Sequence, residues 1–372
     1  MKRLRHLPTV IFLGFISVML ILFIVLPKSD YSSSEKRYLK EKPTFSLSSL
    51  FSGTFGEDFE TYLSDHFAGR NLWVGINAYY HLAIGNNGAS GIYHGSDGYL
   101  INDPTEDDRL QKNIGVIDGF SESCGVDTAV VIAPSTGYIC ENRLPAVHGA
   151  YRDDRYFSSI EDSLNGETFV DVRALFKAAY ANGQQLYYKT DHHWTSRGAY
   201  TAYCALADTL GYTARAEDDY TVSSYDGFYG TTYSSSGFWL TAPDTIEVWD
   251  GGDDVTVTIT EGPVSTDYDS MFFPAHLDED DKYPVFLDGN HAFTRICNEH
   301  ADSDERLLVI KDSFAHSLVP FLSAHYSEIV MVDMRYYKLS VSELIDSEDI
   351  DRVLFVYSID NLATDTDLVW LG

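Results

Sequence analysis

Apolar residues run without a charge over residues 10–26, and no other stretch of the chain approaches that length of unbroken hydrophobicity. At ~1.5 Å per helical residue the run spans roughly 25 Å, the short end of what crosses a bilayer core. Lys2, Arg3 and Arg5 precede it, so the positive-inside rule predicts a cytoplasmic tip and places everything after Leu26 outside. A basic flank and apolar core also fit a signal peptide, but no Ala-x-Ala site follows, which favours an uncleaved anchor. Residues 29–43, rich in Ser, Lys and Glu, read as a stalk.

Beyond the stalk, Phe55, Phe59, Tyr62, Leu63 and Phe67 recur at helical spacing, and a second helix is predicted from Asn71 to about Ile84. The glycine-rich tract 85–98 ends these helices, with a hairpin predicted across Ser96-Asp97-Gly98. From about Glu106 short apolar runs alternate with helical patterns. Strands are expected at 128–133, 167–171, 185–188, 307–310, 328–333 and 353–357. Helices are expected at 107–124, 172–181, 196–210, 313–325 and 340–347. Consecutive strand-helix-strand units predict a parallel sheet covered on both faces. Between residues 212 and 290 the helical pattern gives way to β-rich runs, such as 246–250 and 255–259 around Gly251-Gly252. The expected organisation is therefore 1–27, cytoplasmic tip and transmembrane anchor; 28–105, stalk and helical/hairpin segment; and 106–372, an α/β domain with a β-rich insertion at about 213–290.

A formal net charge of −30 narrows the partners, because nucleic-acid phosphates would be repelled, while a neutral glycan or an acyl donor would be tolerated. Cys124, Cys140, Cys204 and Cys297 show no zinc-type spacing; outside the cell Cys124 and Cys140 could pair. No cofactor signature is present, and no metal site is assigned.

Candidate chemistry concentrates in two places. Ser313 falls where the apolar run 307–310 ends and a helix begins, the rim where ligands bind in α/β sheets, although Ser313 or Asp312 could also be a plain helix cap. Asp191-His192-His193-Trp194 also follows a predicted strand and precedes a helix, so the same rim is expected to hold both. Asp191 and His193, two apart in a turn, can face one site. His193 is then the base for Ser313 and Asp191 its orienting carboxylate, with His192 and Asp312 as secondary candidates. Gly289 and Asn290 are candidate oxyanion donors. A metal held by Asp191, His192 and His193 is the competing chemistry, and polar packing the non-catalytic one.

The motif Asp191-His192-His193-Trp194 resembles the signature of the DHHW proteins, which are similar to the SGNH-hydrolase-like domain of the alginate O-acetylation proteins. Supporting segments are Asp65-His66-Phe67-Ala68-Gly69-Arg70, Gly98-Tyr99-Leu100, Gly289-Asn290-His291, Lys311-Asp312-Ser313-Phe314 and Asp333-Met334-Arg335-Tyr336-Tyr337. The resemblance implies an SGNH-hydrolase-like three-layer α/β fold on a single-pass anchor in the bacterial cell membrane, with the C-terminal domain extracytoplasmic. It further implies acetyl transfer to, or removal from, a polysaccharide through Ser313, His193 and Asp191, with a membrane-bound acyltransferase as a partner. Lys311-Asp312-Ser313 stands where ordinary SGNH enzymes have Gly-Asp-Ser, so the first oxyanion residue does not carry over. A non-catalytic carbohydrate-binding or assembly module is the alternative function, and a metal-dependent hydrolase the third.

Overall fold

Strand residues of the central sheet alternate between two cores, and this alternation explains why its strands read as continuous apolar runs. In the computed structural model, which describes residues 6–32, 34–165 and 167–371, eight strands form that sheet. They are β1 (Asp127–Ala133), β2 (Glu167–Val170), β3 (Thr256–Glu261), β4 (Val264–Tyr268), β5 (Phe293–Cys297), β6 (Arg306–Lys311), β7 (Glu328–Val332) and β8 (Arg352–Ser358), ordered β4-β3-β5-β7-β6-β8-β1-β2. Val131, Val309 and Val356 enter one core beneath helices Ser196–Leu210 and Ala315–Leu322. Val130, Ile310 and Phe355 enter the other, beneath helices Leu110–Cys124, Asp153–Ser163 and Val341–Ser347.

The expected parallel sheet is a mixed one. Five strands, β7-β6-β8-β1-β2, are parallel, with Ile310 opposite both Val332 and Phe355. β5 adds to β7 antiparallel, and β3 and β4 extend that edge. Thr256–Tyr268 therefore belongs to the central sheet, although its sequence lies in the β-rich region. The strands on either side of Gly251-Gly252 do not pair with each other: Asp244–Asp250 pairs with Thr221–Phe228, while β3 pairs with β4 and β5.

Residues 185–188 are not a sheet strand. Leu186, Tyr187 and Tyr188 are buried, which explains their apolar signal. The segment instead turns back on itself, with a single bridge between Tyr187 and Trp194. The four cysteines are free thiols. Cys140 lies in one core and Cys124 packs against the other, across the sheet, so the pair considered from sequence does not form.

The described residues divide into two compact units: those up to Ser90 with Ser234–Trp239, and Gly91–Tyr233 with Leu240 onward. The first contains the apolar helix Leu7–Val25, long and apolar enough to cross a membrane, and helices Thr54–Asp65 and Arg70–Ala83. The first unit also holds an ion cluster in which Arg37 donates to both Asp65 carboxylate oxygens and to Glu35. The second unit holds the central sheet.

Candidate active site

β6 delivers Ser313 to the carboxyl end of the sheet because the strand stops at Lys311 and the chain turns into helix Ala315–Leu322. Asp312 makes that turn. Its Oδ1 accepts from the Phe314 N–H at 2.8 Å, and its Oδ2 accepts from the Ser358 N–H at 2.8 Å, the Ser358 hydroxyl at 3.0 Å and the Asn361 amide at 2.7 Å. The secondary candidate Asp312 thus ties the ends of β6 and β8 together, and its carboxylate is fully engaged in doing so. The Ser313 N–H has no hydrogen-bond partner among the described residues.

The loop bearing Asp191 is fixed from both sides. The buried Asp244 carboxylate accepts from the Lys189 and Thr190 N–H groups and from the Thr190 hydroxyl. Trp194, fully buried, donates its indole N–H to the Phe314 carbonyl at 3.1 Å and to Ser317 Oγ at 2.9 Å, bolting the loop onto the helix that follows Ser313.

Between these anchors His193 lies with Nε2 2.7 Å from Ser313 Oγ and Nδ1 2.5 Å from Asp191 Oδ1. A carboxylate only accepts, so Nδ1 carries the ring proton and Nε2 is left to accept from the Ser313 hydroxyl. Asp191 is filled by donors: the His193 N–H on Oδ1, and the Thr231 N–H at 2.7 Å and hydroxyl at 3.0 Å on Oδ2. Burial alone would raise its pKa. The opposing charges of His193 and His192, with the His193 and Thr231 hydrogen bonds, outweigh burial and hold Asp191 well below the usual carboxylate range. Gly230 approaches this carboxylate so closely that a Cβ there would overlap it.

His192 serves Thr231 instead of Ser313, bonding Thr231 Oγ1 through Nδ1 at 2.6 Å. Ligand atoms of Asp191, His192 and His193 lie within 4.8 Å of one another, the cluster a metal reading requires. Two ligands of one metal at ~2.1 Å sit about 3 Å apart, whereas His193 Nδ1 and Asp191 Oδ1 are at hydrogen-bond contact, with the proton between them. The spacing of that pair is the one a hydrogen-bonded relay has.

The Gly289 N–H is engaged in a turn, and Asn290 is held through its amide oxygen alone. The Gly289 N–H donates to the Phe286 carbonyl at 3.2 Å, and Arg335 donates to the Asn290 amide oxygen at 2.9 Å. Tyr283, in contrast, carries no catalytic motif in the sequence and sits at the centre of the site. Its ring stacks on His193 with centroids 3.9 Å apart and planes 10° apart, and its hydroxyl donates to the Ser313 carbonyl at 3.2 Å. Only its place beside a helical-turn proline in an otherwise acidic loop sets it apart, and that is turn chemistry. Behind Ser313 lies a buried polar cluster: Lys311 Nζ is 2.7 Å from His316 Nε2 and 3.3 Å from Asp333, which Arg335 also binds. Burial, reinforced by the Lys311 charge, pushes His316 well below its ordinary pKa.

A serine hydroxyl bonded to an imidazole whose far nitrogen is held by a buried carboxylate is the arrangement of an activated nucleophile. It is set at the carboxyl end of the parallel part of a mixed sheet with helices over both faces, in a protein of the mixed α/β class. The model of the DHHW proteins matches residues 169–332, and that of the SGNH hydrolase-like domain of the acetyltransferase AlgX matches residues 99–226, so the resemblance carried by Asp191–Trp194 holds. The chain is 27% identical over 176 residues to the probable alginate O-acetylase AlgJ of Pseudomonas putida, and 24% to that of Pseudomonas fluorescens. Each alignment covers 43% of this chain and 44% of the relative, so the chain spans less than half the length of the curated proteins it matches. Among solved structures, a DHHW family protein from Eubacterium siraeum superposes with a TM-score of 0.65 at 22% identity, covering 76% of this chain and 97% of that one. Bacillus cereus PatB1, solved with a sulfonyl adduct, gives 0.63 at 23% identity, covering 76% and 98%. At these identities the structures share the fold.

Proposed function

We propose that the chain is a membrane-anchored, extracytoplasmic SGNH-like enzyme that transfers an acetyl or related acyl group to, or removes it from, a cell-surface polysaccharide. The observation that carries the reading is the unbroken line from Asp191 through His193 to Ser313 Oγ, at 2.5 and 2.7 Å. Ser313 Oγ attacks the acyl carbonyl as its proton passes to His193 Nε2; Asp191 steadies the imidazolium. Collapse of the tetrahedral adduct breaks the bond to the donor's oxygen, which leaves with the His193 proton, and the acyl group remains on Ser313. His193 then takes the proton of an acceptor hydroxyl, whose oxygen attacks the acyl-serine and restores Ser313. Sugar hydroxyl as acceptor makes the enzyme a transferase; water makes it an esterase.

The Ser313 N–H, without a hydrogen-bond partner among the described residues and at the positive end of helix Ala315–Leu322, is our first oxyanion donor. Asn290, with its amide oxygen held by Arg335, keeps its N–H₂ for a second. Tyr283 faces the His193 ring, where an aromatic face favours the imidazolium that forms in the transition state. The relatives named as alginate O-acetylases support a polysaccharide acceptor, and a membrane-bound acyltransferase would be the source of acyl groups. The apolar helix Leu7–Val25 supports single-pass anchoring in a bacterial cell membrane, with the rest of the chain outside.

Incubating the full chain with an activated acetyl ester and a panel of neutral and acidic polysaccharides, and following O-acetyl groups on the glycan by NMR, tests the reading. We expect glycan acetylation, or deacetylation of a pre-acetylated glycan, lost in Ser313→Ala. Glycan binding without turnover, unchanged in Ser313→Ala, would identify a binding or assembly module instead.

A further inference from the structure

The unit that contains the N-terminal helix is unusually apolar on its outside. Among the described residues, twelve large apolar side chains lie exposed between Phe45 and Ile84, whereas the whole second unit, about seven times longer, exposes eleven. Scattered exposed apolar residues need no explanation, but a concentrated set does. On helix Arg70–Ala83 and its cap, Leu72, Ile76, Tyr80 and Ile84 recur every four residues as one stripe, 62, 49, 58 and 56% exposed. The opposite face is occupied, since Gly75 and Ala78 are buried and Trp239 and Phe238 pack there.

The same helices touch the apolar helix Leu7–Val25. Trp73 meets Phe15 edge-on at 5.8 Å, and Tyr62 meets Phe23 at 5.9 Å. Phe23 is near the outer end of that helix, and Phe15 lies roughly 12 Å deeper at ~1.5 Å per residue. Helices Thr54–Asp65 and Arg70–Ala83 therefore touch the outer half of the span through Tyr62 and Trp73, at the level of lipid headgroups and the first part of the acyl chains. The indole and guanidinium groups beside the stripe are bonded from within. The Trp73 indole donates to the Ala68 carbonyl at 3.1 Å, the Trp239 indole to the Asn71 carbonyl at 2.7 Å, and Arg37 and Arg70 pair with Asp65 and Glu35. A surface whose donors are satisfied from within can enter an apolar medium without stranding them.

We propose that these two helices form a collar around the span that inserts its apolar stripe into the outer surface of the membrane, so that lipid acyl chains cover Leu72, Ile76, Tyr80 and Ile84. The chain is then held by two elements, the span and the collar, and its first unit is fixed at the bilayer. With a net charge of −30 the attraction is apolar, so it persists in high salt and does not need anionic lipid.

The inference rests on reading Leu7–Val25 as a membrane span, and the test separates the two. A protease site is placed after Pro27 in the full chain, which is reconstituted in phosphatidylcholine vesicles and floated before and after cleavage. Failure of the uncleaved chain to float would refute the span. After cleavage we expect the released 28–372 piece to stay with the vesicles in both low and high salt. In Leu72→Glu/Ile76→Glu/Tyr80→Glu it should wash off, with the bound-to-free ratio falling at least ~100-fold, since each apolar side chain removed from water is worth about tenfold or more. Release of the cleaved wild-type piece would overturn the collar. Because the triple variant could misfold, the uncleaved wild type is also irradiated with a lipid bearing a diazirine on its acyl chain. Adducts on residues 70–84 are expected. Adducts confined to residues 7–26, or cross-links between two copies through residues 70–84, would overturn the proposal.

Discussion

Replacing Asp191 by Asn tests the relay at its most constrained atom. The two carboxylate oxygens receive four hydrogen bonds, two of them from backbone N–H groups: His193 on Oδ1 at 3.0 Å and Thr231 on Oδ2 at 2.7 Å. An amide has one oxygen. If the new side-chain N–H₂ faces Thr231, a backbone donor meets a donor; if it faces His193, it confronts both the backbone N–H and the ring Nδ1. The second orientation drives the ring proton to Nε2, where it blocks acceptance from Ser313. Either way one buried backbone donor is stranded, at about 1–3 kcal/mol of stability. Loss of the carboxylate charge and of the correct tautomer should lower ester turnover by about 10³–10⁴-fold, some 4–5.5 kcal/mol in the barrier. Initial rates with an activated acetyl ester, alongside urea unfolding, measure both quantities. Asp191→Asn with turnover within about tenfold of wild type, in a protein of unchanged stability, would refute the assignment of Asp191 as the orienting group.

Tyr283→Phe loses the bond to the Ser313 carbonyl but keeps the stack on His193, and turnover should drop by about five- to tenfold, consistent with ~1 kcal/mol for one hydrogen bond; Tyr283→Leu, which removes both, should lose about a hundredfold or more. Gly230→Ala forces its Cβ into the Asp191 carboxylate and should cut turnover as severely as Asp191→Asn, while Ala substitution at the helical Gly119, whose Cβ would meet open space, should not. Acid should weaken the fold through His316. Its folded pKa lies well below the unfolded ~6.5, so between the two values the unfolded chain binds a proton that the folded one refuses. Stability then falls as pH drops below about 6.5, with a slope of up to ~1.4 kcal/mol per pH unit, and urea unfolding at about pH 7 and about pH 5 should show a smaller loss in His316→Gln. Cys140, buried and with its thiol pushed up to about 12, should resist iodoacetamide until the protein unfolds, in contrast to the exposed Cys204.

Local patterns located the candidate groups and left their surroundings unread. Leu307 to Ile310 is apolar and then turns abruptly polar, so the end of β6 and the start of the helix after Ser313 could be placed from residue types alone. The two-residue spacing of Asp191 and His193 likewise announced that both could face one point. What spacing could not supply was the partner of a buried apolar run. Tyr187 and Tyr188 read as a strand because they are buried, but the bridge to Trp194 and the packing against Phe228 bury them in place of a sheet. The strands of the region 213–290 carried β-propensity without register, so the pattern could not reveal that Thr256–Tyr268 would join the central sheet through β5 instead of pairing across Gly251-Gly252. Tyr283, Thr231 and Gly230 act through long-range proximity: Tyr283 is 30 residues from Ser313, and Thr231 is 40 from Asp191. No local periodicity encodes such meetings. Gly289 looked like an oxyanion donor because of its flexibility, but its left-handed φ of 82° serves a turn that engages its N–H with Phe286.

A Ser313 nucleophile activated by His193 should be open to covalent capture. The full chain is exposed to an activated acetyl ester, quenched in acid, and examined by intact mass and peptide mapping, with Ser313→Ala and His193→Ala alongside. One acetyl group is expected on the peptide containing Ser313, absent from both variants, each of which retains the wild-type melting temperature to within a few degrees. A folded wild-type protein that acquires no acetyl group on Ser313 and turns over no ester, or one that labels equally well in His193→Ala, would contradict it.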